Sequence, residues 1–282
     1  MKVISDRKSE GDRITSSGHV ETGVLKTGAL DDDRYERSKR LGWYDLEAIE
    51  SSRLLVVGAG ALGNEVVKNL VLAGFRKITL VDMDHIVLSN LNRCVFFREG
   101  DATDRAMKAE VVAVRARELA ADLQIDTHVK RIEEFDDDFI PSFDIVFGCL
   151  DNLAARLHLN VHCYYSGVPY IDGGTLGMSG KVMVVRNPGP CLECTVNRSH
   201  IETMEKRFSC TGTEVSYVEP KLAAEITTTA VVSALQVREA VKIASGLDDR
   251  VISGLFYYDG LRNESMIMEV ETNPACPHHM GV

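Results

Sequence analysis

Apolar and polar residues follow two different periods in the first third of the chain. Residues 53–57 form an almost unbroken apolar run rich in β-branched side chains, which predicts a short strand buried on both faces. Residues 64–73 repeat apolar side chains at helical spacing, and Gly74 predicts the end of that helix. Residues 78–81 are a second buried strand, with Asp82 at its end. The pattern therefore predicts a strand–turn–helix–strand unit.

Three glycines occupy the turn between the first strand and the helix. Gly58, Gly60 and Gly63 have the spacing G-x-G-x-x-G. The first allows a tight reversal, the second a close approach to a phosphate, and the third close packing of helix on strand. Asp82 then stands where a ribose hydroxyl would need an acceptor. The turn predicts nucleotide binding, and the competing interpretation is tight packing without a ligand.

Polar residues after the second strand distinguish between nucleotides. Asn90 and Arg93 belong to a dense polar segment, and Lys108 lies slightly downstream on a predicted helix. Two cations near a glycine turn suit a triphosphate better than a pyrophosphate already held by backbone amides. These residues favour ATP over NAD, with Asn90 orienting phosphate or ribose. For Lys108 alone, a solvated surface lysine is the default interpretation.

The remaining pattern extends the same architecture. Apolar runs predict strands, and helical spacing predicts helices, over the following residues: helix 106–121, strand 126–129, a solvated acidic loop 133–138, strand 144–150, helix 154–162, strands 170–175 and 181–185, and helix 222–244. This order predicts an α/β fold with one Rossmann-like sheet, in which a parallel nucleotide-binding half continues into an antiparallel half.

Asp151 follows a predicted buried strand directly. The carboxyl ends of parallel strands are where open α/β sheets place their ligands. Carboxylate oxygens together with substrate phosphates suit Mg²⁺, so Asp151 is the predicted magnesium ligand. Asp151 could also cap the helix that follows it, and the two roles are compatible.

The cysteines indicate a metal rather than disulfides. Cys191 and Cys194 form a C-x-x-C pair after a Pro-Gly-Pro turn, and Cys276 and His279 form a C-x-x-H pair near the end. Four such ligands predict a closed, structural zinc site, with His278 as the substitute ligand. Buried free thiols are the competing interpretation. Cysteines that bind a metal rather than form disulfides predict a protein of the reducing cytoplasm. Three more cysteines are expected in the core: Cys94, Cys149 and Cys163.

Composition excludes several classes of function. The chain has 282 residues, 45% of them apolar, so it can bury a substantial core. A formal net charge of −10 argues against nucleic acid as a partner. No apolar stretch is long enough to span a membrane, and no secretory signal is expected at the N-terminus. Residues 1–33 are polar and are predicted to form a flexible arm.

Taken together, these motifs resemble the activating enzymes of ubiquitin-like proteins. That family includes the molybdopterin-synthase and thiamine-pathway adenylyltransferases. The resemblance covers residues 34–282 and implies one adenylation domain, with a nucleotide-binding half at 34–172 and a zinc and catalytic-cysteine half at 173–282. It implies ATP and Mg²⁺ as cofactors. The implied partner is a ubiquitin-like or sulfur-carrier protein ending in Gly-Gly. The family usually has four cysteines at the zinc, so His279 is a departure.

The resemblance also assigns two residues that the pattern alone would not. Arg37 matches an arginine that reaches the partner subunit's nucleotide site, which implies a homodimer. Cys210 matches a cysteine that carries a thioester, with Lys206 and Arg207 close in sequence to favour the thiolate. The implied catalytic residues are Cys210, Arg37, Arg93, Lys108 and Asp151. A conjugating enzyme would then receive the thioester.

Three alternatives remain open at this point. Activation could stop at the adenylate and supply a sulfur-transfer pathway, with Cys210 auxiliary. An NAD-dependent oxidoreductase would have the same glycine turn, but it leaves Arg93, Lys108 and the metal ligands without a role. A non-catalytic partner subunit would tend to lack the nucleotide residues that are present here.

Overall fold

The computed structural model describes residues 33–195 and 223–279, and its centre is a single mixed sheet. The sheet has eight strands in the order β3-β2-β1-β4-β5-β6-β7-β8. The strands are β1 Arg53–Val57, β2 Lys77–Val81, β3 Gln124–His128, β4 Ile145–Gly148, β5 Tyr170–Leu176, β6 Ser179–Val185, β7 Leu255–Asp259 and β8 Glu264–Met268. Along this order, neighbouring strands pair in parallel from β3 through β2, β1 and β4 to β5. The neighbours from β5 through β6 and β7 to β8 pair antiparallel. The predicted α/β sheet with two differently paired halves is confirmed.

Helices cover both faces of the sheet. They are α1 Glu36–Lys39, α2 Leu46–Ser51, α3 Ala61–Ala73, α4 Glu99–Thr103, α5 Lys108–Leu119, α6 Leu153–Ser166 and α7 Ile226–Ala244. Alternate residues of β1 point to opposite sides. Leu54 and Val56 join the core that contains α3, α5 and α7. Leu55 and Val57 join the core beneath α6, which also includes Cys191 and Cys276. The candidate metal ligands Cys191 and Cys276 therefore lie on the α6 side of the sheet.

Helix ends differ from the predicted positions because of local capping. α3 begins at Ala61, with Gly60 as its extended N-cap, rather than at residue 64. α7 begins at Ile226 rather than at residue 222, because the Glu225 carboxylate caps it by accepting the Thr227 N–H at 2.6 Å. The backbone before Glu225 instead pairs with the end of β5, where Gly177 N–H donates to Ala223 O at 2.7 Å. α5 is shorter than its predicted range at both ends.

Neither α7 nor any other helix among the described residues combines the length and apolarity needed to cross a bilayer.

Candidate functional site

The glycine turn lies between β1 and α3, and its three glycines have different roles. Gly58 has a φ of +100°, and a Cβ there would lie 2.4 Å from the Cys149 carbonyl oxygen. A Cβ at Gly63 would lie 1.9 Å from Gly58 O. A Cβ at Gly60 would meet nothing within 4 Å. Folding therefore requires Gly58 and Gly63, whereas Gly60 leaves open space in front of the first turn of α3, where backbone N–H groups can bind an anion.

Alanine substitutions should separate these roles. Gly63→Ala is expected to lower the free energy of unfolding by at least about 2 kcal/mol, because backbone must move to admit the methyl group. Gly60→Ala should fold with at most about 1 kcal/mol lost, but bind ATP at least about tenfold more weakly. Thermal melts and ATP titrations measure both. Normal ATP affinity in Gly60→Ala would contradict the assignment of this space to phosphate.

Asp82 is fixed at the glycine turn by backbone donors. It follows β2, and its carboxylate accepts the Ala59 N–H at 2.6 Å and the Asp84 N–H at 2.8 Å. Its own N–H donates to His128 O at 3.1 Å, at the end of β3. Burial raises the pKa of Asp82, while the Lys108 charge and the two backbone donors oppose that rise. The carboxylate thus stands beside the turn as an oriented, partly desolvated acceptor.

Asp82→Asn tests the carboxylate through the pH dependence of stability. A carboxyl group whose pKa is raised by folding destabilises the fold when ionised, and this cost is absent below the unfolded-state pKa. The amide removes this cost but offers only one acceptor oxygen to the two backbone donors, so we expect the stability of Asp82→Asn relative to wild type to be lower at pH 4 than at pH 7. ATP should bind about tenfold more weakly, since a neutral acceptor bonds hydroxyls less strongly. A difference in melting temperature that is the same at both pH values, with unchanged ATP affinity, would contradict both points.

Lys108 is the cation that the structure places at this site. It opens α5, and its Nζ lies 2.7 Å from Asp84 Oδ2, with 12% of the side chain exposed. Its N–H also donates to Asp84 O at 3.0 Å. Its charge reaches both Asp82 and the Cys94 thiol, whose pKa is raised by burial to about 11. Asp84 therefore orients the ammonium group beside Asp82.

Arg93 and Asn90 make contacts within their own segment. Arg93 Nη1 donates to Ser89 O and to Asn92 Oδ1, the latter at 3.0 Å. Asn90 Oδ1 accepts the Val87 N–H at 3.1 Å and so fixes a short turn. The charges of Arg93 and Lys108 both oppose the rise in the pKa of the Cys94 thiol, which follows Arg93 in the chain. Direct roles of Arg93 and Asn90 on a nucleotide remain predictions.

Asp151 follows β4 and leads into α6. Its side chain is exposed, and the helix is capped instead by Asn152, whose Oδ1 accepts the Ala154 N–H at 2.8 Å. The capping alternative for Asp151 was therefore wrong, because the neighbouring amide has that role. An exposed carboxylate at the carboxyl edge of the sheet fits a magnesium ligand.

A buried ion pair that the sequence interpretation missed anchors this edge. Arg156 of α6 donates through Nε to Asp172 Oδ1 at 2.9 Å, and the Tyr170 hydroxyl donates to the same oxygen at 2.8 Å. Asp172 raises the pKa of Arg156 further. From α7, Gln236 Nε2 donates to Gly148 O and Ile171 O at 3.1 and 3.0 Å. These contacts hold α6 and α7 to strands β4 and β5, which flank Asp151.

Two residues assigned by resemblance have separate outcomes. Arg37 lies on α1 with an exposed side chain. Cys210, with Lys206 and Arg207, lies outside the described residues. The roles of Arg37 and Cys210 remain predictions.

The four predicted metal ligands converge on one point. The ligand atoms of Cys191, Cys194, Cys276 and His279 all lie within 4.8 Å of one another. Cys191 Sγ lies 3.9 Å from Cys194 Sγ and 3.7 Å from Cys276 Sγ. A tetrahedral zinc with Zn–S bonds of about 2.3 Å would set its sulfurs about 3.8 Å apart. The donor set and spacing fit a structural zinc ion.

His279, and not His278, is the histidine that lies with the three cysteines. His279 Nε2 is buried without a hydrogen-bond partner, while its Nδ1 contacts the Tyr164 hydroxyl at 3.2 Å. A ligating histidine is ordinarily held in this way through its second ring nitrogen. His278 Nε2 instead lies 2.6 Å from Glu193 Oε2. Burial raises the pKa of the Cys276 thiol to about 12, so metal binding must displace a proton from it.

The fold brings the two halves of this cluster together. Asn160 of α6 is fully buried, and its Oδ1 accepts the Leu192 N–H at 2.7 Å, which orients the C-x-x-C turn. Asn273 N–H points to Cys194 Sγ at 3.5 Å, and His279 N–H donates to Cys276 O at 3.0 Å. A bound ion would tie the C-terminal segment to the middle of the chain. The cysteines expected in the core, Cys94, Cys149 and Cys163, are buried.

A glycine turn in a strand–helix unit, an acid after the second strand, and a lysine beside it define a nucleotide-binding α/β protein. The chain belongs to the ThiF family, whose sequence profile matches residues 34–278.

Solved structures share the architecture. Escherichia coli MccB with ATP superimposes with a TM-score of 0.70 over 89% of this chain and 76% of that one, at 19% identity. MccB with succinimide gives a TM-score of 0.73 over 91% and 76%, at 18% identity. At this level of identity the likeness concerns the fold.

Curated relatives are closer in sequence but much longer. SUMO-activating enzyme subunit 2 of Dictyostelium discoideum is 38% identical over 157 residues, covering 55% of this chain and 23% of that protein. The NEDD8-activating enzyme E1 catalytic subunit of Caenorhabditis elegans is 38% identical over 167 residues, covering 54% and 38%. The chain therefore aligns with less than two fifths of the length of these relatives.

Proposed function

We propose that this protein uses ATP to adenylate the C-terminal carboxylate of a small ubiquitin-like protein ending in Gly-Gly. The observation that carries the proposal is the Asp82–Lys108–Asp84 arrangement beside the open space at Gly60. The family match, and relatives named as activating enzymes of SUMO and NEDD8, support it. An NAD-dependent oxidoreductase would leave the Lys108 arrangement without a ligand.

Each candidate residue has a defined task in this reaction. The turn at Gly60 and the first N–H groups of α3 would hold phosphate, and Asp82 would accept ribose hydroxyls. Lys108 and Arg93 would neutralise phosphate charge, with Asn90 orienting phosphate or ribose. Asp151 would hold Mg²⁺, which supplies further neutralisation of the phosphates when bound.

The bond changes require no general base. A protein's C-terminal carboxylate is already ionised near pH 7. One carboxylate oxygen attacks the α-phosphorus, the bond to the β-phosphate bridging oxygen breaks, and pyrophosphate leaves with that electron pair. The products are an acyl-adenylate and pyrophosphate. The chain then contributes positioning and electrostatic stabilisation, with zinc at the cysteine cluster acting only in stability.

A second step on Cys210 is part of the proposal. Its thiolate would attack the acyl carbon and release AMP, leaving a thioester for a conjugating enzyme. The alternative is that the adenylate passes to a sulfur-carrier pathway without a thioester. We also propose that the protein forms a homodimer in which Arg37 reaches the partner's nucleotide. The proposed location is a reducing cytoplasm.

Pyrophosphate exchange tests the first step. Candidate small proteins ending in Gly-Gly would be supplied with ATP, Mg²⁺ and labelled pyrophosphate, and each would be matched by a form lacking its last glycine. Label should enter ATP only with the intact tail. Exchange that is independent of the tail, or a change in NADH fluorescence on adding candidate substrates, would contradict adenylation of a protein terminus.

Intact mass measurement tests the second step. Wild type should gain the mass of the small protein in a reductant-sensitive form, and Cys210→Ala should lose this gain while retaining pyrophosphate exchange. A fully active pathway reconstituted with Cys210→Ala would establish the alternative that ends at the adenylate.

A further inference from the structure

Tyr164 of α6 has a buried hydroxyl group that contacts a candidate metal ligand. Its side chain is 6% exposed, and its hydroxyl oxygen lies 3.2 Å from His279 Nδ1. The two rings meet edge to face, with centroids 5.1 Å apart and planes inclined by 88°. The ring packing and the hydroxyl contact together fix how the His279 ring is turned.

A hydrogen bond at Nδ1 decides which ring nitrogen of His279 is free for a metal. A neutral imidazole carries one proton, so one nitrogen donates and the other offers a lone pair. With the proton on Nδ1, donated to the Tyr164 oxygen, the lone pair is on Nε2. This Nε2 is buried and has no hydrogen-bond partner among the described residues. The tautomer that suits a metal is therefore the one whose N–H the Tyr164 oxygen can accept.

Helix α6 contacts both pairs of candidate ligands from one side. Asn160 and Tyr164 are four residues apart, so they lie one turn from each other on the same side of the helix. Asn160 Oδ1 accepts the Leu192 N–H at 2.7 Å inside the C-x-x-C turn, while Tyr164 contacts the C-x-x-H pair. Asn187 Nδ2 donates to Tyr164 O at 3.1 Å and holds the same turn of the helix. One turn of α6 thus positions both halves of the cluster.

We propose that Tyr164 is a positioning residue of the metal site. Its hydroxyl oxygen accepts the His279 Nδ1–H and so leaves Nε2 as the ligand atom for the ion. A hydrogen bond of this kind to a ligating histidine contributes about 10–100-fold in metal affinity. A cysteine ligand has no second ring nitrogen to fix, so this role of Tyr164 exists only while residue 279 is a histidine. The proposal concerns the metal site and does not depend on the proposed adenylation.

The zinc affinity of the full chain, measured under reducing conditions by competition with a chromophoric chelator, tests the proposal. Tyr164→Phe keeps the ring and removes only the hydroxyl group, so zinc should bind about 10–100-fold more weakly. Tyr165→Phe is the matched control, because the Tyr165 hydroxyl lies 3.4 Å from Nδ1 of His278, which is not one of the four clustered residues. The zinc affinity of this control should stay within about twofold of wild type.

A double-mutant cycle separates this role from a general effect on packing. In a His279→Cys background, adding Tyr164→Phe should change zinc affinity by less than about threefold, because no Nδ1–H remains to be accepted. An equal loss of affinity in both backgrounds would overturn the proposal. Unchanged affinity of Tyr164→Phe in the wild-type background would overturn it as well.

A proton resonance gives a second readout that does not need the cysteine variant to bind zinc. In the zinc-loaded chain labelled with ¹⁵N-histidine, the His279 Nδ1–H should exchange slowly with water, because it is buried and hydrogen-bonded. This slow exchange should be lost in Tyr164→Phe and retained in Tyr165→Phe. A slowly exchanging Nδ1–H in Tyr164→Phe would overturn the role of the hydroxyl. A wild-type chain that binds no zinc would overturn the metal site and this role together.

Discussion

Substituting His279 with alanine is expected to release the structural metal and lower the free energy of unfolding by at least about 4 kcal/mol. The reason is geometric: a ring nitrogen of His279 lies within 4.8 Å of three thiol sulfurs, and its buried Nε2 has no hydrogen-bond partner. Without it, Cys276 and the C-terminal segment lose their tie to Cys191. Metal content by mass spectrometry and unfolding by denaturant measure the two effects.

His278→Ala is the matched control for this variant. The side chain is the immediate neighbour, but it pairs with Glu193 at 2.6 Å rather than with the cluster. Metal content should stay at one zinc per chain, and stability should fall by no more than about 1 kcal/mol. Zinc lost from His278→Ala and retained in His279→Ala would show that His278, and not His279, is the ligand. No zinc in wild type would refute the site.

Lys108→Ala is expected to slow adenylation by about 10²–10³-fold, the usual cost of removing one preorganised group that stabilises transition-state charge. The ammonium group is held beside Asp82 by Asp84 before any ligand binds, so little reorganisation is needed. Exchange of labelled pyrophosphate at saturating ATP measures the rate. The melting temperature should change little, because the partner carboxylate is more than half exposed.

Lys77→Ala is the matched control for Lys108→Ala. This lysine is exposed at the start of β2, whereas Asp82 follows the end of the same strand. Its loss removes one positive charge from the same chain without touching the glycine turn, so the exchange rate should stay within about twofold. Equal losses of exchange rate in both variants would show that Lys108 acts only through the net charge of the chain.

Local patterns were sufficient for the parts of the fold in which neighbouring residues decide the structure. The apolar run before Gly58 and the helical spacing after Gly63 predicted β1 and α3, because buried strands and amphipathic helices have distinct periods. The two C-x-x-C/H pairs predicted the four clustered ligands, since short spacings fix donor geometry. The structure places the His279 ring, and not that of His278, with the three cysteines, while its role as a metal ligand stays a prediction.

Other features depend on contacts between distant segments, which a local pattern does not report. In the sequence, Arg156 looks like an ordinary cation on a helix. Its partners Asp172 and Tyr170 lie on β5, and only the fold brings them beside it. Gln236 lies in an apolar helix, and only the fold shows that it bridges two strands. β8 has little apolar alternation and is mostly exposed, so its pairing with β7 leaves no clear mark in the sequence.

The central claim is attack of a protein carboxylate on the α-phosphorus of ATP, and isotope transfer tests it most directly. A small protein ending in Gly-Gly would be prepared with ¹⁸O in its terminal carboxylate, incubated with the enzyme and ATP–Mg²⁺, and then treated with hydroxylamine. The account predicts that the AMP released carries one ¹⁸O atom, because the bridging oxygen of the acyl-adenylate comes from the carboxylate. Unlabelled AMP, or ADP together with labelled phosphate, would contradict it.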